Sequence, residues 1–234
     1  MSPTRYPAVA SEEIKAMAIA LAICAGRDYS PRVPTVGERP GEKGREGVHR
    51  AKNWLERSTR VEFSYTAYDN IPSVDLLTFD CPGGGSASFD IGGIFRGEEL
   101  SKKSFLAEVK NYGPKSDQYP EFKKFLALCY IAYRAKPTYC DRLIWISWRP
   151  FRSDRWDELT SINEVIEAII GERQKVFGPD VTPEEARSSI DMVAAAAVTE
   201  RLWLIVLSEA HETLVITHDH YSEIVKIIAR EARP

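Results

Sequence analysis

Apolar and polar positions in the middle of the chain form two short runs that predict β-strands. The first run covers residues 88–95 and the second covers residues 105–110, and polar segments that contain glycine bound them. The residues between the runs are charged and include Gly97, which predicts an antiparallel hairpin with a solvated loop. In such a hairpin Asp90 of the first strand lies near Glu108 of the second.

Helical periodicity occurs on both sides of this hairpin. Residues 44–55 place Val48, Ala51 and Leu55 on one helical face, and residues 119–133 begin with a proline suited to a first helical turn. Three further segments are alternating or apolar and predict strands: residues 61–68, 74–79 and 143–148. The order of helix, strands, helix and strand predicts a mixed α/β (α+β) core, in which helices flank a mixed β-sheet.

Both ends of the chain are expected to add to this core. The apolar run 16–25 is too short to span a bilayer and predicts a buried helix, and residues 26–43, with several prolines and glycines, predict a linker. After residue 156 the pattern predicts helices and a strand pair, at residues 161–170, 181–198, 201–207, 213–217 and 222–232.

Three regions follow from this pattern. Residues 1–41 hold the N-terminal helix and linker, residues 42–156 form the core, and residues 157–234 form an acidic α/β extension. The extension is expected to belong to the same globular unit as the core. The sequence leaves open whether the extension lengthens the sheet or forms a surface for a partner.

The distribution of charge changes what the composition implies about partners. The net charge of −3 does not by itself favour a nucleic-acid partner. Residues 1–156, however, carry 24 basic and 19 acidic side chains, whereas residues 157–234 carry 7 and 15. Basic side chains that could follow a phosphate backbone surround the predicted hairpin: Arg45, Arg50, Lys52, Arg57, Arg60, Lys102, Lys103, Lys115, Lys123 and Lys124. Ordinary solvent-exposed surfaces are also rich in lysine and arginine. These side chains therefore support a nucleic-acid partner but do not by themselves indicate one.

Other residues with metal or redox chemistry form weaker patterns. The run from His218 to His220 is expected in a solvated turn and not at a metal. No convincing signal peptide precedes the apolar run, so a cytoplasmic location without a membrane partner is expected. The cysteines form no Cys-x-x-Cys pair and are expected to be reduced core thiols: Cys24, Cys81, Cys129 and Cys140.

The second predicted strand has a chemical face. Side chains alternate across a strand, so Glu108 and Lys110 share one side while Ala107 and Val109 face the other. Magnesium prefers oxygen ligands and keeps several waters, so Asp90, Glu108 and the main-chain carbonyl of Val109 are candidate ligands for Mg²⁺ or Mn²⁺. Lys110 is then placed to orient a water molecule or to stabilise charge on a phosphate.

The pattern of Asp90 followed by Glu108-Val109-Lys110 resembles the PD-(D/E)xK nuclease superfamily. The resemblance covers residues 42–151 and implies a restriction-endonuclease-like fold. In that family the first helix often carries a glutamate that reaches the metal site, and Glu46 is the matching residue. Gln118 resembles a polar residue that some members place at the start of the helix after the lysine, where it would assist.

The resemblance implies a function as well as a fold. It implies a Mg²⁺- or Mn²⁺-dependent endonuclease that hydrolyses phosphodiester bonds, with DNA favoured over RNA as the substrate. The catalytic residues implied are Asp90, Glu108, Lys110 and Glu46. Family analogy also suggests a role in host (antiviral) defence or in mobile elements, and leaves open a homodimer or partner proteins.

Two other functions remain as alternatives to a DNA nuclease. The first is an RNA-directed nuclease that uses the same site, and the second is a catalytically silent nucleic-acid-binding or regulatory module with the same fold.

The motif departs from the family where Phe89 replaces the usual proline before the aspartate. Asp90 could also simply end a strand, Glu108 and Lys110 could form a solvated strand edge, and Glu46 could be an ordinary first-turn glutamate.

Overall fold

The computed structural model describes residues 42–69, 71–111 and 117–231. The predicted helix at residues 16–25 and most of the predicted linker lie outside the described residues. In chain order the strands and helices are α1 (Glu42–Ser58), β1 (Val61–Thr66), α2 (Ile71–Leu77), β2 (Thr78–Asp80), β3 (Ser86–Ser88), β4 (Ile91–Phe95), β5 (Ser104–Lys110), α3 (Tyr119–Ala135), β6 (Arg142–Ser147), α4 (Ile162–Gly171), α5 (Arg173–Val176), α6 (Pro183–Ser189), α7 (Met192–Thr199), β7 (Leu202–Val206), α8 (Glu209–Glu212) and α9 (His218–Glu231). Short 3₁₀ turns lie at Glu98–Leu100, Pro137–Tyr139 and Ser153–Glu158.

Within the described residues, five strands form one mixed sheet in the order β1-β4-β5-β6-β7. Strand β4 pairs antiparallel with β1 and with β5, whereas β5, β6 and β7 run parallel to one another. The predicted hairpin is confirmed, because β4 pairs with β5 and Ile91 lies opposite Ala107. Parallel pairing of β5 with β6 requires a crossover, which α3 provides. The protein is therefore a mixed α/β structure in which helices flank the sheet.

The two faces of the sheet bury different residues of β5. Phe105, Ala107 and Val109 pack with the buried face of α1, whereas Leu106 packs with the residues of α3. The residues predicted to form the buried face of α1, Val48, Ala51 and Leu55, are each at most 1% exposed. Because side chains alternate along β5, Glu108 and Lys110 project to the α3 side of the sheet.

An aromatic cluster fills the space between α3 and the sheet. Trp145 of β6 is fully buried, and its ring lies 5.3 Å from Phe122, 5.5 Å from Phe125 and 5.8 Å from Phe151 between ring centroids. Aromatic side chains bury large apolar areas, and these edge-on and tilted contacts add to that burial. The cluster therefore fixes α3 against the sheet directly beside the ends of β5 and β6.

The acidic C-terminal segment lengthens the sheet. Strand β7 pairs parallel with β6, and Leu143 lies opposite Leu202. Helix α4 begins as predicted, since the Ser161 side chain accepts a hydrogen bond from the Glu164 N–H. Residues of α4 and α7 pack against α3 in the same apolar cluster as Leu202.

The single helix predicted at residues 181–198 is wrong, because the structure has two helices there. The predicted start is confirmed by a capping box between Thr182 and Glu185, but α6 ends at Ser189. Asp191 is extended and accepts hydrogen bonds from the Val193 and Ala194 N–H groups. This second N-cap starts α7, so the local side-chain bonds of one aspartate divide the predicted helix.

Two predictions near the C-terminus are also wrong. Residues 213–217 form no strand but a turn after α8, in which the Leu214 and Val215 N–H groups donate to the His211 and Glu212 carbonyls. The run from His218 to His220 is not a turn but the first turn of α9, where the Thr217 hydroxyl accepts from the His220 N–H. Local hydrogen bonds decide both segments, and apolar spacing does not report them.

The strand predicted at residues 74–79 is mostly helix. Helix α2 covers Ile71–Leu77, and only Thr78–Asp80 is extended, paired with Ser86–Ser88. Pro72 lies in the first turn of α2, where its missing N–H is tolerated. Leu77, at the end of the helix, and Phe79, in the strand, are both buried. Their apolar character alone therefore did not distinguish a helix from a strand.

Three of the four cysteines are described, and each is a buried free thiol: Cys81, Cys129 and Cys140. The prediction of reduced core thiols is confirmed for these three, while Cys24 lies outside the described residues. Within the described ranges, the structure contains no helix with the length and apolarity that a membrane crossing requires.

Replacing Trp145 by Ala is expected to lower the free energy of unfolding by roughly 3–5 kcal/mol, because a fully buried indole leaves a cavity. Urea denaturation followed by circular dichroism measures the change. Val193→Ala, at an 80% exposed position of α7, is the control and should stay within about 0.5 kcal/mol of the native value. A loss below about 1 kcal/mol for Trp145→Ala would show that the aromatic cluster does not fix α3.

Candidate active site

Asp90 is held at the start of β4 by three hydrogen bonds. Its N–H donates to the Ala107 carbonyl at 3.0 Å, and its own carbonyl accepts from the Ala67 N–H at 3.1 Å. Its side-chain Oδ2 accepts from the Val109 N–H at 2.8 Å. The prediction of one continuous strand over residues 88–95 is corrected here, since β3 ends at Ser88 and β4 begins at Ile91. Asp90 occupies the bend between them.

Glu108 and Lys110 lie on the same side of β5, as the alternation predicted. Lys110 Nζ is 2.7 Å from Glu108 Oε1, and both side chains are more than four-fifths buried. The other carboxylate oxygen, Oε2, is buried and has no hydrogen-bond partner among the described residues. A buried carboxylate oxygen without a partner is costly, so Glu108 Oε2 is an acceptor suited to a cation or a hydrogen-bond donor.

The structure also orients the main chain at Val109. In an antiparallel pair one residue directs both its N–H and its C=O toward the same neighbouring strand. Since the Val109 N–H donates to Asp90, the Val109 carbonyl projects toward the Asp90 side of β5. The carbonyl predicted as a ligand therefore lies on the side of the strand where Asp90 is placed.

Electrostatics couple the two acids. Burial raises the pKa of Asp90, while the hydrogen bond from Val109 and the Lys110 ammonium act in the opposite direction. Burial, followed by the negative charge of Asp90, raises the pKa of Glu108 to about 8 against the lowering effect of Lys110. Burial and then the charges of the same two acids raise the pKa of Tyr68, so its ring lies at this site. Two carboxylates that penalise each other's charge fit a position for a cation.

The donor set fits a divalent cation that keeps part of its water shell. In the described parts of the chain, no group of three or more His, Cys, Asp or Glu side chains is arranged to hold a metal ion. The fit therefore depends on Asp90, Glu108 and the Val109 carbonyl, completed by water or substrate. Magnesium commonly binds through one or two carboxylates plus water and phosphate oxygens.

The structure leaves Glu46 at the edge of this arrangement. Its side chain is exposed on α1, and it is not part of a metal-holding group among the described residues. The next residue, Gly47, lies so close to Asn111 that an added Cβ would come within 2.7 Å of the Asn111 Cβ. Helix α1 therefore approaches the end of β5, and Glu46 stands near the site without a direct contact to Asp90 or Glu108 in the structure.

Gln118 lies at the start of α3 and is 3% exposed. Its amide nitrogen makes a long bond to the Arg149 carbonyl at 3.4 Å, which the Ser147 hydroxyl also contacts at 2.9 Å. Its amide oxygen is buried and has no hydrogen-bond partner among the described residues. Because Ser147 lies opposite Lys110 in the sheet, Gln118 is near the same end of the sheet as the acids.

Sequence reasoning missed Glu121 and named Lys124 only among the basic side chains that could follow a phosphate backbone. Glu121 Oε2 is 3.9 Å from Lys110 Nζ, and Glu121 Oε1 is 2.7 Å from Lys124 Nζ. The side-chain bond from Lys124 is the largest influence on Glu121 and lowers its pKa. Their spacing of three on the first turns of a helix that follows the lysine was the available signal.

A cleft of about 170 Å³ opens beside Glu108. One wall is α3, the second is the β2–β3 hairpin, and the third is the region around Glu172 and Lys175 at the end of α4 and in α5. Ser88, two residues before Asp90, lies on the hairpin wall. The cleft therefore joins Glu108 to a larger space that could hold part of a ligand.

Several of the basic side chains predicted to follow a phosphate backbone are bound by acids of the protein. Arg50 bonds Glu212 at 2.6 Å and stacks on Trp148, whose indole N–H also donates to Glu212. Lys52 contacts Asp69 at 3.3 Å. These two hold α1 to neighbouring segments, so the charge they offer a phosphate is reduced. Lys115 lies outside the described residues.

Comparisons of the chain with protein-family models, with curated proteins and with solved structures found no match. The class of the protein is thus argued from its own fold and site: a mixed α/β protein with a coupled acidic pair and a lysine at one end of its sheet.

The metal-free protein is expected to lose stability as the pH rises from about 4.5 toward 8. Glu108 has its pKa raised to about 8 in the fold, so the folded state binds the proton more tightly than the unfolded state. This contribution is full below the unfolded pKa and is lost as pH rises through the folded pKa. Urea denaturation across this range with a chelator present measures the slope, and Glu108→Gln should flatten it.

The control for this slope is Glu62→Gln, which changes an exposed glutamate of β1. It should leave the pH dependence as in the native protein. An unchanged slope in Glu108→Gln would mean that Glu108 is not held in an environment that disfavours its charge.

Proposed function

We propose that this protein is a metal-dependent nuclease that hydrolyses phosphodiester bonds, with DNA as the favoured substrate. The observation that carries the proposal is the buried Glu108 Oε2 without a described partner, beside Asp90 and Lys110. Such an acidic pair with an adjacent ammonium suits a divalent ion and a phosphate together.

The order of elements supports a restriction-endonuclease-like core. A helix, α1, is followed by the antiparallel strands β1, β4 and β5, then by α3 and by β6 parallel to β5. The candidate acids lie on the central hairpin of this set, as the resemblance implies. Helix α2 and strands β2 and β3 are an insertion between β1 and β4.

In the proposed site Asp90 and Glu108 bind Mg²⁺ or Mn²⁺, and the Val109 carbonyl adds a third oxygen. The ion, when bound, polarises the phosphoryl oxygen and makes a nearby water more acidic. The Val109 N–H keeps Asp90 in a fixed orientation, since it donates to Oδ2 at 2.8 Å. Fixed donors and acceptors need no rearrangement during the reaction, which is the main source of electrostatic catalysis.

Lys110 is proposed to orient the attacking water or to stabilise charge on the phosphate. Its ammonium is 2.7 Å from Glu108 and 3.9 Å from Glu121, so it lies between the acidic pair and α3. Glu108 and Glu121 therefore hold the ammonium beside the position proposed for the phosphate. Glu46 is proposed to assist from α1 when substrate is bound, and Gln118 from the start of α3.

Replacing Asp90 by Asn or Lys110 by Met is expected to lower cleavage of DNA at least about a hundredfold, because each removes a group that acts on the charged transition state. Release of labelled fragments from DNA and RNA oligonucleotides with Mg²⁺ or Mn²⁺ measures the rate. The matched controls are Glu62→Gln and Lys226→Met, which change exposed charges on β1 and α9 and should leave the rate unchanged.

Two results would contradict the proposed function. Cleavage that is equally fast with a chelator present would exclude a required metal, and full activity in Asp90→Asn would exclude the acidic pair. Preferential cleavage of RNA would support the same active site but would make RNA, and not DNA, the substrate. Binding of nucleic acid without turnover would identify the chain as a silent binding module of the same fold.

A further inference from the structure

The lining of the cleft beside Glu108 changes from charged to apolar along α3. Residues four, three and three positions apart on a helix share one face, and Glu121, Phe125, Leu128 and Ile131 form such a stripe along the wall of the cleft. The stripe begins with the charged Glu121 and ends with the apolar Ile131, about 15 Å further along the helix axis. A ligand that lies along this wall meets charge beside Glu108 and apolar surface beyond it.

The charged end of the cleft is built from opposite charges. Glu121 pairs with Lys124 at 2.7 Å, and Glu172 pairs with Lys175 at 3.3 Å. The pKa of Glu121 is lowered first by Lys124 and then also by Lys110 and Lys175, so three ammonium groups act on this carboxylate. A polar group of a ligand at this end therefore meets both ammonium and carboxylate groups.

The opposite wall of the cleft is rigid. Gly83, in the turn between β2 and β3, donates its N–H to the Lys175 carbonyl at 2.9 Å. An added Cβ at Gly83 would come within 1.7 Å of the Gln174 carbonyl oxygen, so only glycine permits this approach. The hairpin that carries Cys81, Ala87 and Ser88 is thereby fixed against α5, and the cleft is preformed.

The size of the cleft suits one aromatic ring. The cleft measures about 170 Å³, and a protein cavity of about 150 Å³ lined by apolar side chains accepts benzene. Phosphates carry the negative charge of a nucleic acid, while each base presents a flat apolar face. A nucleotide therefore matches the cleft, because its charged phosphate is joined to a base with apolar faces as the charged end of the cleft is joined to the apolar end.

We propose that the cleft receives an unpaired nucleobase of the substrate strand while its phosphate lies at Asp90, Glu108 and Lys110. The inference rests on the proposed function and deepens it, because a base inside a duplex is stacked and cannot enter. The substrate is accordingly a single strand or a frayed end, and intact duplex is cleaved slowly. Taking a base out of a stack requires energy, which single strands largely avoid.

The test uses Ala87→Leu in the chain of 234 residues, where the larger side chain fills the cleft from the β3 wall without changing the acids or lysines. Ser86→Val is the matched control, because Ser86 lies on the same strand, is exposed and does not line the cleft. Cleavage with Mn²⁺ is measured on a single-stranded oligodeoxynucleotide, a frayed duplex and a blunt duplex of the same sequence. Thermal unfolding checks each variant, and Ala87→Val replaces Ala87→Leu should the latter fail to fold.

The expected result is faster cleavage of single-stranded and frayed DNA than of blunt duplex, with a loss of roughly tenfold in Ala87→Leu and none in Ser86→Val. Equal rates on all three substrates, or an Ala87→Leu rate equal to the native rate, would overturn the cleft proposal and leave the nuclease intact.

A binding measurement separates failure of the cleft from failure of the nuclease. A single strand that contains 2-aminopurine is titrated with the Lys110→Ala protein in Mg²⁺, and its fluorescence is expected to change when the base enters the cleft. This change should be lost when Ala87→Leu is added. If the native protein cleaves nothing, a change that Ala87→Leu abolishes still supports the cleft, whereas its absence overturns the cleft as well.

Discussion

The hydrogen bond from the Val109 N–H to Asp90 Oδ2 is the constraint on which the site depends. It holds the Asp90 carboxylate against β5, where Glu108 and Lys110 are the residues on either side of Val109. The Asp90 main chain is also bonded to Ala107 and Ala67, so the bend before β4 cannot move away from β5. Burial then makes the two acids penalise each other's charge, and a cation relieves that penalty.

The sequence predicted the parts of the fold that depend on apolar spacing. The hairpin of β4 and β5, the buried face of α1 and the strands β1, β6 and β7 all carry regular patterns, and the structure has each of them. Patterning failed where local hydrogen bonds decide the backbone. Asp191 divides a predicted helix, and the turn that follows α8 takes the place of the strand predicted at residues 213–217. Those bonds are short-range and leave little trace in hydrophobic periodicity.

The candidate site was predictable to a similar extent. Alternation along β5 placed Glu108 and Lys110 together, and the hairpin placed Asp90 beside them. Glu121 was not foreseen, because its approach to Lys110 depends on how α3 packs on the sheet through Trp145 and the phenylalanines around it. The cleft likewise requires a tertiary contact, the close approach of Gly83 to Gln174, that no local pattern reports. Side chains that meet across the sheet were therefore only partly accessible to sequence reasoning.

The most direct measurement is a titration of the native protein with Mn²⁺, followed by calorimetry or by the electron spin signal of free Mn²⁺. We expect one site, weakened in Asp90→Asn and in Glu108→Gln and retained in Glu62→Gln. The same affinity in the native protein and in both acidic-site variants would contradict the account, because the coupled acids would then not be the position at which a cation binds.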